Sequence, residues 1–274
     1  MIQHLPALLP ALALLAAPLL AATVDGIPLH FTATGKGPAT VIFVHGWTCD
    51  ETSWSEQVPA LAASYRTVTV DLPGHGRSGS PPDGKFSMDL FARAVEAVRE
   101  EVGAQRVVLV GHSMGTPAIV QYARLYPRRV VAMVFAEGVV TLGANLGHKP
   151  NTGRMMGPDG LKIREANTRG MFSASTTPEL QRKLVKMMQA APASTAAGAM
   201  EAMYDPAIWK DDAIALPVLA IYAEHSGLAS RALMQRHYPR LEYAEIPGTG
   251  HFLMLEKPAE FNRLLLEFLA RQKF

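Results

Sequence analysis

Short apolar runs rich in β-branched residues punctuate the chain at Val41–Val44, Thr67–Val70, Val107–Val110, Val130–Phe135 and Val218–Tyr222. Between most of them the apolar spacing changes to that of a helix face. Phe91, Ala94, Val95, Val98 and Val102 make one such stripe, and Phe261, Leu264, Leu265, Phe268 and Leu269 make another near the C-terminus. From Val130 to Ala136 nothing polar interrupts the run, so that strand is expected to be buried on both faces. Strand alternating with helix predicts an α/β fold, a mostly parallel sheet flanked by helices, in which functional groups gather where strands end at one edge.

The rhythm breaks between Gly138 and Asp212. No strong strand pattern appears there, Met and Ala are frequent, and Leu180, Leu184 and Met187 or Met188 fall at helical spacing. A helical cap insertion over 138–212 is expected, set into a core made of residues 23–137 and 213–274. It is either an ordinary helical hairpin packed on the sheet or the lining of a substrate pocket, where flexible Met side chains adapt to varied apolar shapes.

The first residues follow neither pattern. Met1 to Val24 carry no formal charge, and "LPALLPALALLAAPLLAA" has the apolar core and small-residue ending of a secretory signal, with cleavage expected after Ala22. This predicts a secreted or periplasmic protein. The leader has His4 but no Lys or Arg before its apolar core, which leaves an N-terminal membrane anchor as the alternative. Pro6, Pro10 and Pro18 argue against a stable spanning helix.

Composition narrows the chemistry. With 274 residues and 49% apolar content the chain suits one large domain with an insertion. Its 26 basic and 24 acidic residues are interspersed, which leaves no footprint for nucleic acid. Cys49 is the only cysteine, so no internal disulfide forms, and neither Cys clusters nor an HExxH spacing suggests a metal or cofactor. Nothing in the pattern specifies an oligomeric state.

One stretch combines strand, sharp turn and helix around a nucleophile: "GHSMG" places Ser113 between Gly111 and Gly115. The glycines permit the turn that lifts the hydroxyl above the sheet, and the Met114 amide points where an oxyanion would form. His112 reads as a packing or turn residue. A serine hydroxyl needs a base, and His251, in "GTGHF" after the run Leu241–Ile246, has the chain order expected of one. A second oxyanion donor is expected at the Trp47 amide, after His45-Gly46 at the end of an early strand. Cys49 in that loop reads as a small buried filler. Gly74 to Gly79 match GxGxxG, but Ser80-Pro81-Pro82 follow instead of a helix, so a turn is expected there and not a dinucleotide site.

Through "HGW", "DLPGHGRSG", "GHSMG", "GTGHF" and "EKPAEF" the chain resembles the α/β-hydrolase fold family from about Val24 to the C-terminus. The resemblance implies a serine hydrolase of the esterase and lipase kind, acting through an acyl-enzyme on a carboxylic ester, and the Met-rich insertion suggests a small to medium apolar acyl or alcohol group. Amide, carbon–carbon and perhydrolase chemistry on the same fold, and a non-catalytic ligand-binding homologue, are the alternatives. The pattern departs from the family in one place. After "VLAIYA" the family usually carries its triad aspartate, and here "AEHSG" puts Ser226 at that position. Some members take the acid from the end of the strand that follows the nucleophile helix, which points to Glu137; Glu224 is the alternative acid.

Overall fold

A computed structural model describes residues 22–140, 151–228 and 230–274. The leader lies outside them except for Ala22, which opens a hairpin of β1 (Ala22–Val24) and β2 (Ile27–Leu29). Asp25 and Gly26 connect the two strands, both with positive φ (51° and 77°), as a two-residue hairpin turn requires.

Among the described residues the main sheet has seven strands. They are β3 (Phe31–Thr34), β4 (Thr40–Val44), β5 (Arg66–Val70), β6 (Val107–His112), β7 (Val130–Ala136), β8 (Val218–Ala223) and β9 (Leu241–Ile246), in the spatial order β3-β5-β4-β6-β7-β8-β9. Only β3 runs antiparallel to its neighbour; every other pairing is parallel. The central strands β4, β6, β7 and β8 are buried along their whole length, which is why their sequences carry no alternation. The half-exposed "FTAT" of β3 has no such apolar run, and this edge strand was not expected from the pattern.

The helical stripes pack where the pattern puts them. In α2 (Met88–Glu101), capped by Ser87 through the Leu90 amide, Phe91, Ala94, Val95 and Val98 are buried. Burial of each large apolar side chain on this face contributes about 1.5–3 kcal/mol to docking the helix. Glu96 of α2 takes both Arg99 (2.7 and 2.8 Å) and the Tyr122 hydroxyl (2.6 Å) of α3 (Gly115–Leu125), so the two neighbouring helices share one satisfied polar network. The final helix, α10 (Pro258–Ala270), opens on its proline and buries Phe261, Leu265, Phe268 and Leu269, while Leu264 is half-buried.

The remaining helices of the core are α1 (Gln57–Leu61), α8 (Arg231–His237) and α9 (Leu253–Glu256). Between β7 and β8 the described chain holds α4 (Gly153–Met156), α5 (Gly160–Arg169), α6 (Pro178–Ala190) and α7 (Ala193–Met203), with no strand. Arg124 of α3 clamps the returning chain through a two-pronged ion pair with Asp212 (2.6 and 2.9 Å). Among the described residues no helix is long and apolar enough to cross a membrane.

Candidate active site

The ends of β6 and β7 carry two non-glycine residues in the left-handed backbone region: Ser113 (φ 52°) and Glu137 (φ 46°). Such a conformation costs about 1–3 kcal/mol and persists only where the surroundings over-determine it. Here they do. The Ser113 amide donates to the Ala136 carbonyl (3.1 Å), its carbonyl accepts from Thr116 (3.0 Å) and Val139 (3.2 Å), and the Glu137 amide donates to Ile221 (2.9 Å). Gly115 permits the turn because a Cβ there would lie 2.4 Å from the Val44 carbonyl oxygen.

The loop after β4 closes on this elbow. A Cβ on Gly46 would lie 3.0 Å from the Ser113 Cβ and 2.9 Å from His112 Nδ1, so only glycine fits. The Gly46 carbonyl is held by the His45 Nδ1–H (2.8 Å) and the Cys49 amide (3.2 Å), while His45 Nε2 accepts the Leu72 amide (3.0 Å). His45 is thus a neutral imidazole with a fixed tautomer, and its burial pushes its pKa down. Among the described residues the amides of Trp47 and Met114 donate to no protein acceptor. Met114 itself is fully buried at the start of α3. The Trp47 indole donates to the Ala196 carbonyl of α7 (2.8 Å), tying this loop to that helix. Cys49 is a buried filler whose thiol burial pushes up to about 12.

His251 follows β9 on a loop fastened from two sides. Its carbonyl accepts from His112 Nε2 (2.8 Å), and its amide donates to the Met171 carbonyl (3.3 Å) in the α5–α6 junction. The same junction receives the loop through Ser175 to the Gly248 carbonyl (2.6 Å), and Glu256 joins Thr176 to the Gly250 amide. His112 packs against the His251 ring (centroids 4.7 Å apart) and is held well below the usual histidine range by burial and by that neighbour. It is a packing residue, as expected, and also the anchor of the histidine loop.

Glu137 is buried and its side chain converges on the same place. Oε1 accepts the Ala223 amide (2.5 Å), Oε2 accepts the Ser226 hydroxyl (3.0 Å), and Oε2 lies 3.7 Å from His251 Nδ1. That separation is an ion-pair approach longer than a hydrogen bond. The Ser226 hydroxyl itself accepts the Leu228 amide (3.2 Å), which directs its single proton to the carboxylate. Glu224, the rival acid, is exposed at the rim.

Ser113, Glu137, His251, Trp47, Ser226 and Glu224 all line one cavity of about 590 Å³. Its apolar wall comes from Val139, Met171, Phe172, Met200, Met203 and Leu228. The residues of α6 that helical spacing marks lie elsewhere: Leu184, Met187 and Met188 are buried, with Met187 against Thr52 and Ser53. The Gly74–Gly79 segment is a turn closed by the Gly74 amide on the Gly79 carbonyl (2.8 Å) and gathered around Asp71, with no helix opening at its glycines. The sequence pattern missed the donor role of Ser226 because a serine at the usual acid position reads as a loss until its partner is known. It likewise missed the grip of His112 on the histidine loop.

A mostly parallel sheet that ends in a strained serine turn, with a histidine loop and an acid converging on it, is the arrangement of an α/β hydrolase. The chain matches the α/β-hydrolase fold family over residues 39–258 and belongs to it. It is 28% identical over 269 residues to a 2-hydroxy-6-oxononadienedioate/2-hydroxy-6-oxononatrienedioate hydrolase of Paraburkholderia phymatum, a match covering 89% of this chain and 91% of that protein. A dihydrolipoyllysine-residue acetyltransferase component of the acetoin cleaving system from Cupriavidus necator is 36% identical over 118 residues, which cover 43% of this chain and only 31% of that protein. Among solved structures, a thermophilic esterase from Thermogutta terrifontis superposes with a TM-score of 0.79 at 25% identity, covering 92% of this chain and 97% of that one.

Proposed function

We propose that this α/β hydrolase is a serine hydrolase that cleaves small to medium apolar carboxylic esters through an acyl-enzyme. The observation that carries the reading is the approach of the buried Glu137 carboxylate to His251 Nδ1 (3.7 Å) in the cavity that also takes Ser113. With Nδ1–H turned to Glu137, His251 presents Nε2 to the serine hydroxyl. His251 removes the Ser113 proton as Oγ attacks the ester carbonyl, and the Trp47 and Met114 amides take the developing oxyanion. The imidazolium, charge-balanced by Glu137, then returns its proton to the leaving alkoxide. Water attacks the acyl-enzyme by the same route. Ser226 and the Ala223 amide act as positioning groups for the acid, and the Met-lined wall supports an apolar acyl or alcohol group.

Fluorophosphonate labelling with peptide mapping tests the nucleophile: an adduct on Ser113 of the folded protein, lost in Ser113→Ala, is expected, and its absence overturns the reading. A panel of p-nitrophenyl esters of graded chain length then defines the acyl preference. Carbon–carbon hydrolysis is the second reading, kept because the Paraburkholderia relative is named as a hydrolase of a dienedioate and not of an ester; turnover of a dienedioate faster than of any ester would replace the first. With residues 1–22 taken as a cleaved signal, the enzyme would act outside the cytoplasm, and N-terminal sequencing of the mature protein tests that.

A further inference from the structure

The residues that follow β8 divide between two tasks. The Ala223 amide and the Ser226 hydroxyl turn inward to Glu137. Glu224, between them, stays exposed yet forms part of the wall of the same cavity, beside His225 and close in the chain to Ser226. Among the described residues its carboxylate meets no cation, and no Lys or Arg lines the cavity at all. A substrate therefore passes one free carboxylate at the rim and reaches a second, Glu137, at the base. His251 is the cationic group at the base once it has taken the serine proton, and that charge is already matched by Glu137.

From this we infer that Glu224 is a specificity-determining charge filter: the site accepts neutral esters and discriminates against esters that carry a carboxylate on the acyl chain. The inference rests on the serine-hydrolase reading and adds the substrate class to it. The physical ground is like-charge repulsion without compensation. An anionic acyl group entering this cavity leaves water, finds no Lys or Arg in the described wall and approaches two carboxylates, whereas a neutral group of the same length meets Met171, Phe172, Met200 and Met203. Discrimination by an unfavourable element directed at the wrong substrate is an economical route to specificity, because it leaves the contacts to the right one untouched. It also separates this site from what a dienedioate, with its two carboxylates, would need.

The test compares p-nitrophenyl hydrogen adipate with its methyl ester, two substrates of the same leaving group and nearly the same length that differ by one charge. At low ionic strength kcat/KM for the methyl ester is expected to exceed that for the anion by about tenfold or more. Glu224→Gln should shrink this ratio several-fold, Glu224→Lys should shrink it further or reverse it, and 0.5 M salt should shrink it in the parent enzyme but little in Glu224→Gln. A ratio near one in the parent enzyme, or a ratio that neither variant moves, overturns the filter while leaving ester hydrolysis standing. Absence of turnover on both esters by folded protein overturns the hydrolase reading and the filter with it.

Discussion

Two adjacent strands, β7 and β8, end beside one another, and each is followed by a glutamate: Glu137 and Glu224. Glu137 is buried, sits in a left-handed backbone conformation and receives two hydrogen bonds from the end of the neighbouring strand. Glu224 is exposed and free of such partners among the described residues. The side chains are chemically identical. What differs is that one carboxylate is buried, hydrogen-bonded and 3.7 Å from the histidine, while the other is solvated at a rim. Burial with satisfied hydrogen bonds, and not the presence of an acid near the usual position, is the ground on which Glu137 is proposed as the triad acid.

The strongest way to break this comparison is to neutralise each acid in turn. Glu137→Gln is expected to lower kcat by about 10²–10⁴. It should also cost about 1–3 kcal/mol of stability, because the amide cannot accept from both Ala223 and Ser226 as the carboxylate does. Thermal midpoints measured beside the kinetics separate the two effects; a collapse in Glu224→Gln with near-normal kcat in Glu137→Gln would reverse the assignment.

Acid pH sharpens the contrast between sealed and solvated groups. His75 is fully buried and burial depresses its pKa to about 3, with His45 adding to the shift. The unfolded chain, with His75 near the ordinary value, then binds the proton more tightly than the folded one, so stability rises with pH across this range and falls as pH drops. Each unit below about 6.5 should cost about 1.4 kcal/mol from His75 alone, until about pH 3. Buried His112 and His45 shift in the same direction and steepen the loss. Denaturant unfolding from pH 7 to 4.5 measures the slope, and a flat profile would contradict neutral buried histidines.

A smaller effect concerns the support of Glu137. Ser226→Ala removes the hydroxyl donated to Oε2 and should lower kcat about tenfold with little change in KM, because the acid loses alignment and not charge. Ser226→Thr, which keeps the hydroxyl, should restore most of the rate; equal losses in both would indicate packing and not positioning. The smallest effect is expected for Glu224→Gln on stability, within about 0.5 kcal/mol, since its carboxylate is solvated in both states. A larger loss in thermal unfolding would mean that Glu224 has a structural partner.

Much of this is legible in the sequence. Apolar runs without alternation announced β4, β6, β7 and β8, because a strand covered on both faces leaves no place for polar residues. The stripes of α2 and α10 were legible because a helix that packs on a sheet needs one continuous apolar face. Strand, turn and helix in order around Ser113 marked the elbow, since the turn admits so few residue types. The polar edge strand β3 and the hairpin at Ala22–Leu29 left no such mark; short and partly solvated, they are specified by pairing and turn geometry more than by hydrophobic pattern. Helical spacing in α6 marked Leu184, Met187 and Met188 as buried without telling that Met200 and Met203 of α7, and not they, face the cavity, because periodicity identifies a buried face and not what it is buried against. Only the tertiary structure decided how Glu137, Ser226, Ala223 and His251 meet, since those contacts join residues up to 114 positions apart in the sequence (251 − 137) whose distance is set by the register of parallel strands.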